Sequence, residues 1–237
     1  MTAHDDNLVS SRLEDGSFSD HQLLVGPELE PASGQKAKQL VVLLHGYGSD
    51  GDDLISLAPE FAESLPDAHF IAPNAPFHCE MAPYGFQWFS LQEYTQPAML
   101  EKSQIAIPIL NYFLDETLKR LNLTADNMAL VGFSQGTMMS LLSATKRKPS
   151  CAGVLGYSGS FLDADPNPNQ SWSSPPVCLI HGKLDPVVPF SSMKNAEHAL
   201  KTIGIDVETH ARPNLPHGID AEGIEIGNNF LNRIFNS

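Results

Sequence analysis

The chain has 237 residues, a length that one α/β domain commonly fills. Its formal net charge of −14 argues against nucleic acid and against electrostatic anchoring to an anionic membrane, since both need clustered Lys and Arg. Three scattered cysteines are too few for a disulfide framework, and the acidic N-terminus lacks the basic start and apolar stretch of a secretory signal. We therefore expect a cytoplasmic protein without a stable membrane anchor.

The first half of the chain predicts strands, helices and one long loop. Residues 1–20 are polar and predict a flexible segment, followed by a single α/β domain over residues 21–237. HQLLVGPEL predicts an edge strand, LVVLLHG a strand buried on both faces, DDLISLAPEFAESL a helix and HFIAPNAP a second buried strand. A loop rich in aromatic residues follows over 74–98, and a helix begins near Leu100, where Pro108 marks a kink or the effective start.

The second half alternates strands and helices more regularly. MALVGFS, CAGVLGYSG, PVCLIHG and DVETHARP predict strands, whereas QGTMMSLLSATKR, SMKNAEHALKTIG and residues 219–235 predict helices. This alternation is typical of an α/β fold with a mostly parallel central sheet and helices on both faces.

Residues 132–136, GFSQG, match the pattern G-x-S-x-G, with a strand before them and a helix after them. Glycines on both sides of Ser134 allow a tight, strained turn that exposes the hydroxyl as a nucleophile. The alternative is a buried structural serine. The strand–turn–helix context favours the catalytic interpretation.

A nucleophilic serine needs an imidazole as base and a carboxylate that orients the imidazole. Asp185 follows the strand PVCLI and His217 follows the strand VETHA, in the chain order expected for this kind of turn. Other acids and histidines fit less well and are expected to be structural or solvated: Asp163, Asp165, His45, His181, His198 and His210. No pair of residues shows metal-ligand spacing, so we expect no metal site.

An acyl-transfer site also needs backbone N–H groups that bind an oxyanion. One is expected from Gln135, at the start of the helix after the nucleophile, and one from Tyr47 in the glycine-rich segment HGYGSDG. That segment is equally compatible with a simple tight turn.

Six motifs in order resemble the phospholipase/carboxylesterase family of α/β-hydrolases: LLHGYGSDGDDL, IAPNAP, QWF, VGFSQG, HGKLDPVVP and LPHG. The resemblance implies the α/β-hydrolase fold, a triad of Ser134, Asp185 and His217, an oxyanion hole at Tyr47 and Gln135, and no cofactor. Trp88 and Phe89 would line the acyl site, and family members are often homodimers. The chain departs from the family's common pattern around the pocket, at Ser90, Thr137, Pro216 and Gly218.

Together these features predict a serine hydrolase that cleaves a carboxylic ester or thioester through an acyl-enzyme. Its substrate would be a small-molecule or lipid acyl ester, or an acylated protein. Two alternatives remain open: a peptidase or amidase on the same triad, and a non-catalytic binding protein on the same fold. An intact triad favours the enzyme, because binding proteins on this fold usually lack one of its residues.

Overall fold

The computed structural model describes residues 24–236. Seven strands form one sheet in the order β1-β3-β2-β6-β7-β8-β9, and all neighbours are parallel except β1 and β3. A separate two-stranded hairpin pairs β4 with β5. The strands are β1 (Glu28–Leu29), β2 (Gln39–Leu44), β3 (Ala68–Ile71), β4 (Phe77–His78), β5 (Phe86–Gln87), β6 (Met128–Phe133), β7 (Gly153–Tyr157), β8 (Val177–Gly182) and β9 (Val207–Arg212).

Six α-helices cover the two faces of the sheet: α1 (Gly51–Ile55), α2 (Ala58–Ala62), α3 (Gln96–Leu121), α4 (Gln135–Lys146), α5 (Ser191–Thr202) and α6 (Ala221–Phe235). Alternate residues of a strand point to opposite faces. Leu40, Val42 and Leu44 therefore pack in the cluster with α3, α4 and α5, while Val41 and Leu43 pack in the cluster with α1, α2 and α6. The predicted α/β fold, with a mostly parallel sheet between helices, is confirmed.

Two predicted helices differ from those observed. The single helix predicted over DDLISLAPEFAESL is two short helices, α1 and α2, with Pro59 in the first turn of the second. Helix α3 begins at Gln96, earlier than predicted, and runs through Pro108. Thr95 caps its first turn, accepting from the amide of Ala98. Pro108 lies on the exposed face of α3, where water can bind the carbonyl that its missing N–H leaves unpaired.

The observed edge strand and long loop also differ from those predicted. Only Glu28–Leu29 of HQLLVGPEL form a strand, which pairs antiparallel with β3 at the sheet edge, and residues 21–23 lie outside the described residues. The predicted flexible segment over 1–20 lies outside them as well. Within the loop predicted over 74–98, β4 and β5 form the small hairpin. No helix within residues 24–236 is both long enough and apolar enough to cross a bilayer.

Candidate active site

Ser134 occupies the turn between β6 and α4 in a backbone conformation with φ 54° and ψ −114°. A positive φ is strained for a residue with a side chain, and it persists only where the surroundings fix it. The amide of Ser134 donates to the carbonyl of Tyr157 on β7 at 2.9 Å, and its carbonyl accepts from Met138 at 3.3 Å. Neighbouring backbone therefore holds Ser134 in the conformation expected of a nucleophile turn.

The glycines on both sides of Ser134 are required by close backbone contacts. A Cβ added at Gly132 would lie 2.4 Å from the amide nitrogen of Thr137, and one at Gly136 would lie 1.8 Å from the carbonyl oxygen of Leu44. Thr137 fills the space beneath the turn, where its hydroxyl lies 2.8 Å from the carbonyls of Gly132 and Tyr157. Thr137 stands where the family commonly has a glycine, and its hydroxyl connects the turn to β6 and β7.

The structure brings His217 and Asp185 together at the ends of β9 and β8. Nδ1 of His217 lies 2.7 Å from Oδ2 of Asp185. A carboxylate only accepts hydrogen bonds, so this contact assigns a proton to Nδ1, and in the neutral ring with this tautomer Nε2 is the proton acceptor. The ring of His217 also lies beside that of Phe133, the residue before Ser134, with centroids 4.9 Å apart. The imidazole therefore lies next to the nucleophile turn, with its basic nitrogen available.

The carboxylate of Asp185 is fully buried and accepts several hydrogen bonds. Its Oδ1 accepts from the amides of Val187 and Val188, at 2.8 and 2.9 Å. Burial alone would raise the pKa of Asp185, but the hydrogen bonds from His217, Val188 and Val187 outweigh it and hold that pKa below its ordinary value. Asp185 is therefore a fixed anion beside His217.

His181 makes a contact with the acid that the sequence did not reveal. Its Nε2 lies 2.9 Å from the carbonyl of Val188 and 3.2 Å from Oδ2 of Asp185. The carbonyl can only accept, so Nε2 carries the proton, and burial lowers the pKa of His181 and keeps the ring neutral. The only indication of this contact in the sequence is that His181 lies near the end of β8, four residues before Asp185.

The side chain of Ser134 makes no capping hydrogen bond to α4, so the hydroxyl can turn towards Nε2 of His217 or towards a substrate. Ser134 is 8% exposed and the side chain of His217 is 17% exposed, whereas the side chain of Asp185 is fully buried. A substrate can thus reach the serine and the imidazole, while the carboxylate behind them is shielded from water.

The amides of Tyr47 and Gln135 lie on the two segments that meet beside Ser134. A Cβ added at Gly46 would lie 3.4 Å from Cβ of Ser134, so the turn that contains Tyr47 packs against the nucleophile. Within the described part of the chain, neither amide donates a hydrogen bond to another protein atom. Unpaired N–H groups beside a nucleophile are the geometry that an oxyanion requires.

Trp88 and Phe89 lie in the hydrophobic core, with side chains 0% and 1% exposed. The indole N–H of Trp88 donates to the carbonyl of His45 at 3.0 Å. The side chain of Gln135 binds the same segment twice, accepting from the amide of Trp88 and donating to the carbonyl of Phe89, each at 2.8 Å. These contacts fix the segment beside the turn that precedes Tyr47, and a role for Trp88 and Phe89 at the acyl site stays a prediction.

His45 connects that turn to the core and has no free nitrogen for catalysis. Its Nδ1 lies 2.7 Å from the carbonyl of Gly46, and its Nε2 accepts from the amide of Ala75 at 2.9 Å. Burial lowers the pKa of His45 despite the hydrogen bond to Gly46, so the ring is neutral.

A groove of about 390 Å³ is lined in part by Val188, whose amide donates to Asp185. No Asp, Glu, Lys or Arg lines it; its walls are Tyr94, Gln96, Met99, Ser160, Phe161, Ala164, Val188, Pro189, Ser192, Asn195 and His198. The hydroxyl of Tyr94 lies 3.4 Å from the carbonyl of Val187, and burial and the charge of Asp185 raise the pKa of Tyr94. The groove therefore adjoins Asp185, and the sequence did not predict it because its residues come from three separate segments of the chain.

Residues 30–235 match the sequence pattern of the phospholipase/carboxylesterase family. Esterase YpfH of Escherichia coli is 28% identical over 207 residues, which cover 87% of this chain and 84% of that protein. Acyl-protein thioesterase 1 of Neurospora crassa is 27% identical over 222 residues, covering 86% of this chain and 90% of that protein.

Solved structures agree with this match. The crystal structure of esterase PE8 is similar with a TM-score of 0.84 and 39% sequence identity, and the alignment covers 89% of this chain and 99% of that one. The carboxylesterase of Bacillus cereus has a TM-score of 0.72 at 17% identity, covering 90% of this chain and 95% of that one, and shares the fold.

Proposed function

This chain belongs to the phospholipase/carboxylesterase family and is a hydrolase, and we propose that it cleaves carboxylic esters or thioesters through an acyl-enzyme on Ser134. One observation carries the proposal: the 2.7 Å hydrogen bond between Nδ1 of His217 and Asp185, beside a serine with positive φ between two obligatory glycines. Base, orienting acid and strained nucleophile are the components that acyl transfer requires.

In the proposed mechanism, Ser134 Oγ attacks the carbonyl carbon while Nε2 of His217 accepts its proton. The tetrahedral intermediate collapses when His217 returns the proton to the leaving alcohol or thiol, and the acyl group stays on Ser134. Water then attacks the acyl-enzyme with His217 again as the base, which releases the acid and restores the serine. Asp185 stays ionised throughout and stabilises the imidazolium that forms in each step.

The amides of Tyr47 and Gln135 are proposed to bind the oxyanion of both tetrahedral intermediates. Their lack of other acceptors among residues 24–236 supports this role, since an amide already bound to protein would have to break that bond first. Gln135 has a further role through its side chain, which binds the backbone of Trp88 and Phe89 and so fixes that segment to the residue after the nucleophile.

The groove beside Asp185 is proposed to hold the acyl chain. Apolar side chains such as Met99, Phe161 and Val188 share it with neutral polar ones, and it contains no fixed charge. A volume of about 390 Å³ exceeds what an acetyl group occupies, so the groove favours a substrate with a longer uncharged chain. Lipid acyl esters and acylated proteins both meet this description.

The relatives divide between an esterase and acyl-protein thioesterases, so both leaving groups belong to the proposal. An amidase would use the same triad, but none of the relatives named above is an amidase.

A cytoplasmic location, a single domain over residues 21–237 and a homodimer complete the proposal, and each can be tested with the full chain by fractionation, limited proteolysis and light scattering.

A fluorophosphonate probe tests the nucleophile directly. Such a probe phosphonylates an activated serine hydroxyl and releases fluoride, so peptide mass spectrometry should find the adduct on Ser134. The variant Ser134→Ala should stay unlabelled. Ser140→Ala is the matched control, because Ser140 is a buried serine on α4 whose hydroxyl bonds the carbonyl of Gly136, and it should label like the wild type. Labelling at another serine, or none in the folded protein, would overturn the proposal.

A further inference from the structure

Cys178, Glu208 and His210 bring three metal-binding side chains together on the face of the sheet that packs against α6. Cys178 on β8 lies directly opposite Glu208 on β9, and His210 is two residues further along β9 on the same face. One donor atom from each residue lies within 4.8 Å of the other two. Sequence spacing did not predict this cluster, because pairing of β8 with β9 is what creates it.

The cluster is reachable from solvent on one side and closed on the other. Cys178 is fully buried, whereas the side chains of His210 and Glu208 are 37% and 36% exposed. An ion could therefore enter between the carboxylate and the imidazole and reach the sulfur below them.

Arg233 on α6 binds one oxygen of the Glu208 carboxylate from the helix side. Its Nη2 donates to Oε2 of Glu208 at 2.8 Å, while Oε1 lies 3.8 Å from Nε2 of His210. Partners that bind the outer oxygen of a ligating carboxylate orient it for the metal. The guanidinium charge also opposes a cation, so we expect weaker binding than in a structural zinc site with several thiolates.

We propose that Cys178, Glu208 and His210 bind one Zn²⁺ ion through a sulfur, an oxygen and a nitrogen, with water in the fourth position. This donor set suits the borderline-soft zinc ion, and three protein ligands plus water is an established zinc geometry. Metal–ligand bonds of about 2.0–2.3 Å place neighbouring donor atoms roughly 3.3–3.8 Å apart. The three donor atoms therefore need to approach one another by only about 1 Å.

The thiol must lose its proton when the ion binds. Burial, together with the neighbouring Glu208, raises the pKa of Cys178, so the sulfur is protonated in the metal-free protein at neutral pH. One Zn²⁺ therefore replaces one proton, which passes to solvent, and a zinc–thiolate bond replaces the S–H bond.

Zinc in this position would connect the two strands that lead to the proposed acid and base. Asp185 follows β8 and His217 follows β9, while the cluster lies on the strands themselves, away from the hydrolytic chemistry. Binding to the folded state alone stabilises that state in proportion to the logarithm of the ion concentration. The ion would thus stabilise the edge of the sheet rather than take part in hydrolysis.

Titration of the metal-free full chain with Co²⁺ tests the site, because cobalt reports a cysteine ligand through a sulfur-to-cobalt charge-transfer band in the near ultraviolet. The wild type should show this band with saturation at one equivalent, and Zn²⁺ should abolish it by displacement. Cys178→Ser should lack the band. His210→Ala keeps the Cys178 thiol and changes only a partly exposed ligand, and it should lower the Co²⁺ affinity at least about tenfold.

His78→Ala is the matched control, because His78 is an exposed histidine on the hairpin, remote in the sheet topology from β8 and β9, and it should behave as the wild type. In parallel, Zn²⁺ should raise the melting temperature of the wild type and His78→Ala more than that of His210→Ala. If the wild type shows no saturable band, or if His210→Ala binds Co²⁺ as tightly as the wild type, the proposal is wrong. A band that persists in Cys178→Ser would assign the sulfur to Cys79 or Cys151 and equally overturn it.

Discussion

Asp185 and His217 are joined by a hydrogen bond of 2.7 Å between Oδ2 and Nδ1, although the two residues lie on different loops. The parallel pairing of β8 with β9 brings these loops together, since both strands end at the same edge of the sheet. The other oxygen of Asp185 is bound by two backbone amides, so the carboxylate cannot rotate away. The hydrogen bond is therefore a property of the fold and precedes any substrate.

Asp185→Asn tests the assignment of the acid. The amide can present its NH₂ to Nδ1 and favour the wrong tautomer of His217, so we expect kcat to fall roughly 10³-fold. The measurement is ester hydrolysis at saturating substrate, with folding checked by circular dichroism. Asp163→Asn is the matched control and should retain wild-type kcat. If Asp163→Asn is inactive while Asp185→Asn is near wild type, the acid has been misassigned.

His181 is predicted to be a positioning residue, because its Nε2 contacts both Val188 O and Asp185 Oδ2. His181→Phe keeps an aromatic ring and removes the N–H, so kcat should fall about tenfold with KM unchanged, as expected for the loss of one hydrogen bond to a charged group. His181→Gln can restore a donor and should recover part of the loss. Equal kcat for His181→Phe and the wild type would refute this role.

Acid should destabilise the protein through His45. Burial lowers the pKa of His45 in the folded state, so the unfolded chain binds the proton at higher pH. The free energy of unfolding should therefore decrease as pH falls below about 6.5, the ordinary histidine pKa. Urea titrations at several pH values measure this slope. His45→Gln should reduce the slope, whereas the exposed His198→Ala should not; an unchanged slope in His45→Gln would exclude His45 as its source.

Ser192→Trp tests the groove. The new side chain, on α5, would fill part of the groove and exclude long acyl chains. Turnover of p-nitrophenyl palmitate should fall at least about tenfold, while that of the acetate should change less than about twofold, because a short chain does not reach the blocked region. Ser192→Ala is the control. A uniform loss across all chain lengths would place the acyl chain elsewhere.

Much of the fold follows from the sequence, because strands buried on both faces need continuous apolar runs. LVVLLHG and MALVGFS are such runs, and they form the central strands β2 and β6. The order of Ser134, Asp185 and His217 along the chain, each after a strand, was sufficient to predict the meeting of the acid and the base. Local patterns predicted that Asp185 and His217 meet, because the carboxyl ends of parallel strands lie at the same edge of a sheet.

Features that depend on tertiary neighbours could not be predicted. Trp88 and Phe89 are aromatic residues in a loop, and only their burial and the hydrogen bonds of their segment with His45 and Gln135 show that they pack in the core. The start of α3 at Gln96 did have a local signal, since Thr95 and Pro97 are typical of a helix N-terminus. The groove and the cluster of Cys178, Glu208 and His210 had no local signal in the sequence, because segments distant along the chain form both.

Hydrolysis of p-nitrophenyl esters from acetate to palmitate, by the wild type and Ser134→Ala side by side, tests the central claim most directly. The account predicts turnover by the wild type and a loss on the order of 10⁴-fold in kcat for the variant, with both proteins folded. Turnover that survives in Ser134→Ala, or none by the folded wild type with any ester, would contradict it.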